Sequence, residues 1–264
     1  MKKLALVLGG GATKGYAHIG VLKVLEENGI KPDLIVGTSM GAVVGGLYAS
    51  GKSIEQLTSV SNKFTRRKLM DFNLFNAFFS SGILSGKKLK NLLVEQLGDI
   101  EHSDLQIPFV ATATNIENGK LVELKQGKVA DSILASSAIP GVFPLVEYNG
   151  QTLCDGGLLD NVPEDIARKM AKKYIVLSVD VIGEYSKQVE SSKLKILETT
   201  INALTLMQTQ ITKLKTGNSD MRINISQPDV QQMSFDLSSI NKSIDYGVAA
   251  MKKNITKLKN LLQD

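Results

Sequence analysis

The stretch from Leu4 to Gly51 constrains this chain most, because it reads twice as an apolar run, a glycine turn and a helix. LALVL (4 to 8) is a short continuous apolar run closed by glycines, the pattern of a buried parallel strand. YAHIGVLKVLEENG follows, with apolar residues at helical spacing and Gly29 as its stop. DLIVG is a second strand, and MGAVVGGLYASG a second helix closed by Gly51. This order predicts a parallel sheet with helices on both faces. Further apolar runs at PFVATAT (108 to 114) and YIVLSVD (174 to 180) extend that sheet, and LVELKQG with VEYNGQTLCDGG marks a hairpin region near one edge. A chain of 264 residues, 43% of them hydrophobic, can bury a full core, and no repeat or linker divides it. One domain over residues 1–264 is expected.

Two stretches depart from this pattern. Between Phe64 and Phe79 lie five of the eight phenylalanines, beside Arg66, Arg67 and Lys68. Residues 64–88 therefore read as a cap or lid, its rings either packed on the core or facing lipid. From Leu194 to Leu214 apolar residues recur every three or four positions, and no charge occurs from Thr199 to Thr212. That marks a long amphipathic helix over 187–216, either packed on the core or presenting a dimer or membrane face.

The chemistry concentrates at the glycine turns. Ser39 lies in GTSMG, a G-x-S-x-G match between a predicted strand and a helix beginning near Met40, the sharp turn that exposes a nucleophile. Gly37 and Gly41 relieve crowding there, and the helix N-terminus directs N–H groups at developing negative charge. Acyl transfer also needs fixed donors for the tetrahedral oxygen. Gly9-Gly10-Gly11-Ala12-Thr13-Lys14-Gly15, directly after LALVL, offers a run of backbone N–H groups. A nucleotide-binding reading of this loop fails: G-x-G-x-x-G is matched in neither frame, and the P-loop lacks its Gly-Lys-Ser/Thr.

A nucleophilic serine needs a base, and the chain has two histidines. His18 sits within the helix after the glycine loop, where a packed or capping role is expected. His102 lies in the polar loop EHSD, where a solvated role is expected. A partly dehydrated carboxylate is the better candidate, since its raised pKa still allows it to accept a serine proton. Asp155, in CDGG, is preferred and Asp180, ending YIVLSVD, is its competitor. The lone Cys154 excludes an internal disulfide, and no Cys/His cluster has zinc spacing, so no metal or other cofactor is expected.

Together these residues make the chain resemble the patatin-like phospholipase family, in its small bacterial branch. The glycine-rich loop matches LGGGATKGYAHIGVL, the nucleophile elbow VGTSMG, and the Asp-Gly-Gly motif Asp155-Gly156-Gly157. Weaker likeness runs through PFVATATNIENGK, ASSAIPGVFPLV and SDMRINISQPDV with IDYGVAA. The resemblance implies a three-layer α/β/α fold with a mainly parallel sheet and a Ser39–Asp155 dyad without histidine. It also implies an oxyanion hole at Gly10, Gly11 and Ala12, supported by Lys14, Gly15, Gly37, Gly41, Gly156 and Gly157. Where the family usually has a third glycine, this chain has Ala12, whose Cβ resists positive φ.

The implied activity is hydrolysis of lipid acyl esters, of the phospholipase A or lysophospholipase type. Rival readings are a lipid- or partner-binding relative that hydrolyses little, and a thioesterase or neutral esterase. The partner is then a lipid or acyl-ester substrate rather than a nucleic acid. The net charge of +5 suits peripheral contact with an anionic membrane. MKKLALVL imitates a secretory leader, but its apolar run stops after five residues at the glycine triplet. A cytoplasmic location, peripheral at the inner membrane surface, is expected.

Overall fold

The computed structural model describes residues 2–61, 85–183, 196–215, 217–231, 233 and 236–263. Its elements run β1 (Leu4–Leu8), α1 (Ala17–Glu27), β2 (Leu34–Thr38), α2 (Met40–Ala49), α3 (Ile54–Ser61), α4 (Gly86–Leu97), β3 (Phe109–Asn115) and β4 (Lys120–Leu124). They continue with α5 (Val129–Ser136), β5 (Val146–Tyr148), β6 (Gln151–Asp155), α6 (Glu164–Met170), β7 (Ile175–Asp180), α7 (Ile196–Leu214), β8 (Met221–Asn224) and α8 (Leu237–Gln263). The expected cap over 64–88 lies outside the described residues except for 85–88, which open α4. There Ser85 Oγ accepts the N–H of Lys88 and caps the helix. Of the helix expected over 187–216, the described part is α7.

The strand order is β5-β6-β3-β2-β1-β7-β8, with β4 also paired to β3. β1, β2, β3, β7 and β8 are parallel neighbours, whereas β4, β5 and β6 join antiparallel. The hairpin expected near one edge is β5–β6, closed at Asn149-Gly150, both at positive φ.

Alternation along the central strands makes the layers. Ala5 and Val7 of β1 face α6 with Val36, Val110 and Val176, meeting Val162, Ile166 and Ala167. Leu4, Leu6 and Leu8 face the opposite layer with Ile35 and Phe109, against α1, α2 and α8. Both faces are dry because every residue of these strands is buried. Each such leucine contributes about 1.5–3 kcal/mol to folding.

Helix α8 crosses α1 at glycine contacts. A Cβ on Gly247 would sit 1.9 Å from the Ala17 carbonyl oxygen, so only glycine permits this approach. The close crossing brings Ser243 Oγ to donate to the Lys14 carbonyl at 2.8 Å, and Gln227 Nε2 donates to the same oxygen at 3.0 Å. The C-terminal helix thereby braces the glycine-rich loop.

Candidate active site

Ser39 is delivered by the turn from β2 to α2. Its backbone sits at φ 53 and ψ −122, a region that side chains avoid, with its N–H donated to Ser136 Oγ at 2.9 Å. The turn is tight because the two glycines leave no Cβ: one on Gly41 would lie 2.1 Å from the Leu8 carbonyl oxygen, and one on Gly37 2.6 Å from that of Gly41. Strand, turn and helix therefore touch backbone to backbone.

The sheet register brings Asp155 to the same place. β3 pairs with β2 up to Thr38↔Thr112, and one step further Ala113 pairs with Asp155 of β6. β4 runs along the opposite edge of β3, so β2 and β6 lie end to end on one side of it. A residue leaving the end of β2 thus meets the end of β6. Asp155 lines the same cavity as Ser39, whose hydroxyl favours the ionised carboxylate, and its Oδ1 accepts the Gly157 N–H at 2.8 Å. Burial raises its pKa to about 6, although the Ser39 hydroxyl and the Gly157 N–H both pull it down. Gly156 is needed because a Cβ there would press on Thr112 O at 2.5 Å.

The competitor carboxylate is engaged elsewhere. Asp180 Oδ1 accepts the N–H groups of Ile182 and Gly183 at 3.0 and 3.3 Å and does not line the cavity that holds Ser39.

The glycine-rich loop faces Ser39, but its three oxyanion candidates are not equivalent. Gly10 N–H donates to the Asn161 carbonyl at 3.1 Å, so this residue's donor is occupied, contrary to its expected part in the hole. Sequence reading missed this because the partner comes from the turn after Asp155. Asn161 also donates Nδ2 to Gly10 O at 3.2 Å and is almost fully buried, clamping the loop from both sides. The Asn161 carbonyl does not take the Gly11 or Ala12 N–H, and both residues line the cavity with Ser39. Gly15 meets the elbow directly, where a Cβ would lie 2.5 Å from Met40 Cβ. Lys14 acts through its carbonyl, the acceptor for Gln227 and Ser243.

The histidines hold structure. His18 is fully buried, with Nε2 at 2.7 Å from the Gly9 carbonyl. That acceptor requires the proton on Nε2, and burial lowers the pKa to about 4, keeping the ring neutral. His102 is not solvated as expected. Its ring stacks on Phe109, Nδ1 lies 3.1 Å from Phe109 O, and Nε2 lies 2.9 Å from Ser132 Oγ. The loop is polar in sequence, but it folds against the start of β3 and the flank of α5.

Ser39 and Asp155 line one cavity. Its apolar wall is Ile139, Leu158, Ile201, Leu204 and Met233, and its polar wall includes Asn161, Thr205 and Gln208. Sequence reading singled out neither Asn161, Ser136 nor Gln208. Only the Asp-Gly-Gly-to-Asn spacing could have pointed to the first.

Ala12 sits at φ 47, so its Cβ is strained in the left-handed region. Ala12→Gly should relieve about 1 kcal/mol, raising both the melting temperature and kcat while KM changes little. A fall in both quantities would show that the alanine is accommodated.

No group of His, Cys, Asp and Glu among the described residues has the arrangement of a metal site. Residues 6–168 match the family model for patatin-like phospholipase, which is more than half of the chain. An uncharacterized NTE family protein of Mycobacterium bovis is 38% identical over 161 residues, covering 61% of this chain and 44% of that protein. A Candida albicans protein named lysophospholipase NTE1 is 34% identical over 180 residues, covering 67% of this chain and 13% of that protein. The match spans less than half the length of either relative. In fold, the chain is similar to VipD from Legionella pneumophila, at TM-score 0.51 and 14% identity over 96% of this chain and 67% of that one. It is also similar to the type III effector ExoU, at TM-score 0.52 and 13% identity over 97% of this chain and 53% of that one. The matched family model, together with a three-layer sheet that joins its glycine loop, serine elbow and Asp-Gly-Gly turn, shows that this chain belongs to the patatin-like phospholipase family.

Proposed function

We propose that this chain is a serine acyl hydrolase of lipid esters, a phospholipase A or lysophospholipase, working through Ser39 and Asp155. The observation that carries the reading is that Ser39, on a strained elbow, and a buried Asp155 carboxylate line one cavity. The family, and the name lysophospholipase borne by the Candida albicans relative, support lipid esters as the substrate class.

The chemistry follows from the geometry. Ser39 Oγ attacks the ester carbonyl carbon as its proton passes to Asp155, whose raised pKa makes it a usable base near neutrality. The carbonyl π pair moves onto oxygen, and the N–H groups of Gly11 and Ala12 are the fixed donors to that negative charge. The N-terminal end of α2 adds partial positive charge from beneath. Collapse expels the alcohol, which takes the proton back from Asp155 and leaves an acyl-Ser39 ester. Water then repeats the sequence with Asp155 as base, releasing the fatty acid and restoring the serine.

A fluorophosphonate probe tests this directly, because it phosphonylates activated serines. Stoichiometric labelling mapped to Ser39 is the expected outcome, together with release of fatty acid from a phospholipid or lysophospholipid. A chain that binds lipid but leaves Ser39 unlabelled would sink the reading.

A further inference from the structure

The two glycines after Asp155 answer to different neighbours. At Gly156 the obstacle to a side chain is backbone, the Thr112 carbonyl. At Gly157 it is the polar ends of three side chains: a Cβ there would lie 2.6 Å from Gln208 Nε2, 2.9 Å from Asn161 Oδ1 and 3.0 Å from Asp155 Oδ1. Groups that close around one point in this way stand no further apart than about 6 Å, the span that a single water bridges with a hydrogen bond of about 2.9 Å on each side. All three residues line the cavity that holds Ser39, and that cavity has room for water.

The roles of the three groups are fixed by their surroundings. Asn161 Nδ2 donates to Gly10 O at 3.2 Å, which leaves Oδ1 as the acceptor on the Gly157 side. Asp155 Oδ1 accepts the Gly157 N–H at 2.8 Å and, as a carboxylate oxygen, can accept a second bond. Gln208 supplies the donor. It arrives from α7, which packs on the turn Gly156–Leu158 and is fastened nearby by Lys215 Nζ, 3.2 Å from Asp160 Oδ2. Two acceptors and one donor complement a water molecule, whereas an N–H among them opposes a cation. The group also borders the nucleophile, since a Cβ on Gly10 would lie 2.5 Å from Asn161 Oδ1 and 3.2 Å from Ser39 Cβ.

We propose that Gln208 and Asn161, together with Asp155 Oδ1, hold the water that hydrolyses acyl-Ser39. The proposal rests on the serine hydrolase reading above and assigns two further residues to its second half. Held this way, the water donates to Asp155 and Asn161 and accepts from Gln208, so one lone pair is left to attack. Its oxygen bonds to the acyl carbon as Asp155 takes one of its protons, and the carbonyl π pair moves onto the oxyanion. Return of that pair breaks the bond to Ser39 Oγ, which takes the proton from Asp155, and the fatty acid leaves with the oxygen of the water. Attack of Ser39 on the first ester uses no such water, so Gln208 separates the two steps.

Gln208→Met is the variant that tests this, because it keeps the length of the side chain and removes the donor. A change at Asn161 would also release Gly10. With p-nitrophenyl butyrate, stopped-flow release of nitrophenol measures acylation. Intact mass of the acyl-enzyme, followed by acid quench after the substrate is removed, measures its hydrolysis. Acylation should change less than about threefold while hydrolysis slows at least about tenfold, the loss of one hydrogen bond to the attacking group, so that acyl-Ser39 accumulates. Hydroxylamine attacks esters without a base and should discharge acyl-Ser39 in variant and wild type at similar rates, which a displaced acyl group or distorted oxyanion hole would not allow. Gln208→Ala, which cannot overfill the cavity, should behave as Gln208→Met does. Slowing of both steps alike in the two variants, undiminished hydrolysis of their acyl-Ser39, or a matching loss of hydroxylamine discharge would each overturn the proposal. If the wild type forms no acyl-Ser39 and also resists a small fluorophosphonate, the hydrolase reading itself fails, and this proposal with it.

Discussion

Ser39→Ala is expected to lower acyl-ester hydrolysis by at least about 10⁴-fold, the scale on which removing a nucleophile disables a serine hydrolase. The fold should persist, because the elbow is shaped by backbone contacts at Gly37 and Gly41 rather than by the hydroxyl. Far-ultraviolet circular dichroism and fatty-acid release measure the two halves of this statement. Comparison with Ser39→Gly isolates the strain. At φ 53 and ψ −122 alanine is as uncomfortable as serine, while glycine adopts this region freely. Ser39→Gly should therefore melt higher than Ser39→Ala, by a difference of about 1 kcal/mol after glycine's greater freedom in the unfolded chain is counted. Retained hydrolysis in Ser39→Ala would remove the serine from the mechanism, and equal melting of the two variants would show an unstrained elbow.

Asp155→Asn should cost about 10²–10⁴-fold in rate and yet stabilise the protein. The rate loss follows because the amide cannot accept the serine proton. The stability gain follows from burial, which raises the carboxyl from 3.8 to about 6 in the folded chain. Above pH 6 the folded state holds a charge that the unfolded chain carries at lower cost, a penalty of about 3 kcal/mol. The isosteric amide keeps an oxygen for the Gly157 N–H and removes that penalty. The sign is set by the raised pKa: the advantage of Asp155→Asn is full above pH 6, shrinks as pH falls through 6 and vanishes below about 4, where the acid is neutral in both states. Kinetics should show the same group, with kcat/KM of the wild type rising through an inflection near pH 6. Denaturant unfolding at pH 8 and pH 4 is the decisive comparison. A destabilised Asp155→Asn at pH 8, or a flat rate profile between pH 5 and 7, would contradict the buried-base account.

Some elements were hard to read for definite reasons. Helix α8 buries Ile240, Ser243, Gly247, Met251, Leu258 and Leu262. This is a helical stripe, but the serine and glycine within it are there to admit Lys14 O and Ala17 O, and they break the apolar pattern. Strand β8 is four residues long, too short for alternation to stand out. His102 looked solvated because neighbouring polarity says nothing about which strand a loop folds against.

By itself the sequence determined the local conformations that carry chemistry: the apolar runs that must be parallel strands, and the glycines at 37, 41 and 156 where backbones touch. It also determined a serine between strand and helix. These are legible because each depends on steric or solvation preferences within a few residues. Only the tertiary structure decided which groups meet. Asp155 reaches Ser39 because β6 takes the place of β2 beside β3, one register step beyond Thr38. Asn161 occupies the Gly10 N–H, and α7 turns Leu204, Thr205 and Gln208 toward the site and Leu206, Met207 and Leu214 away. Pairing and packing of this kind are set by free energy summed over distant strands and helices, and no short window of residues contains that sum.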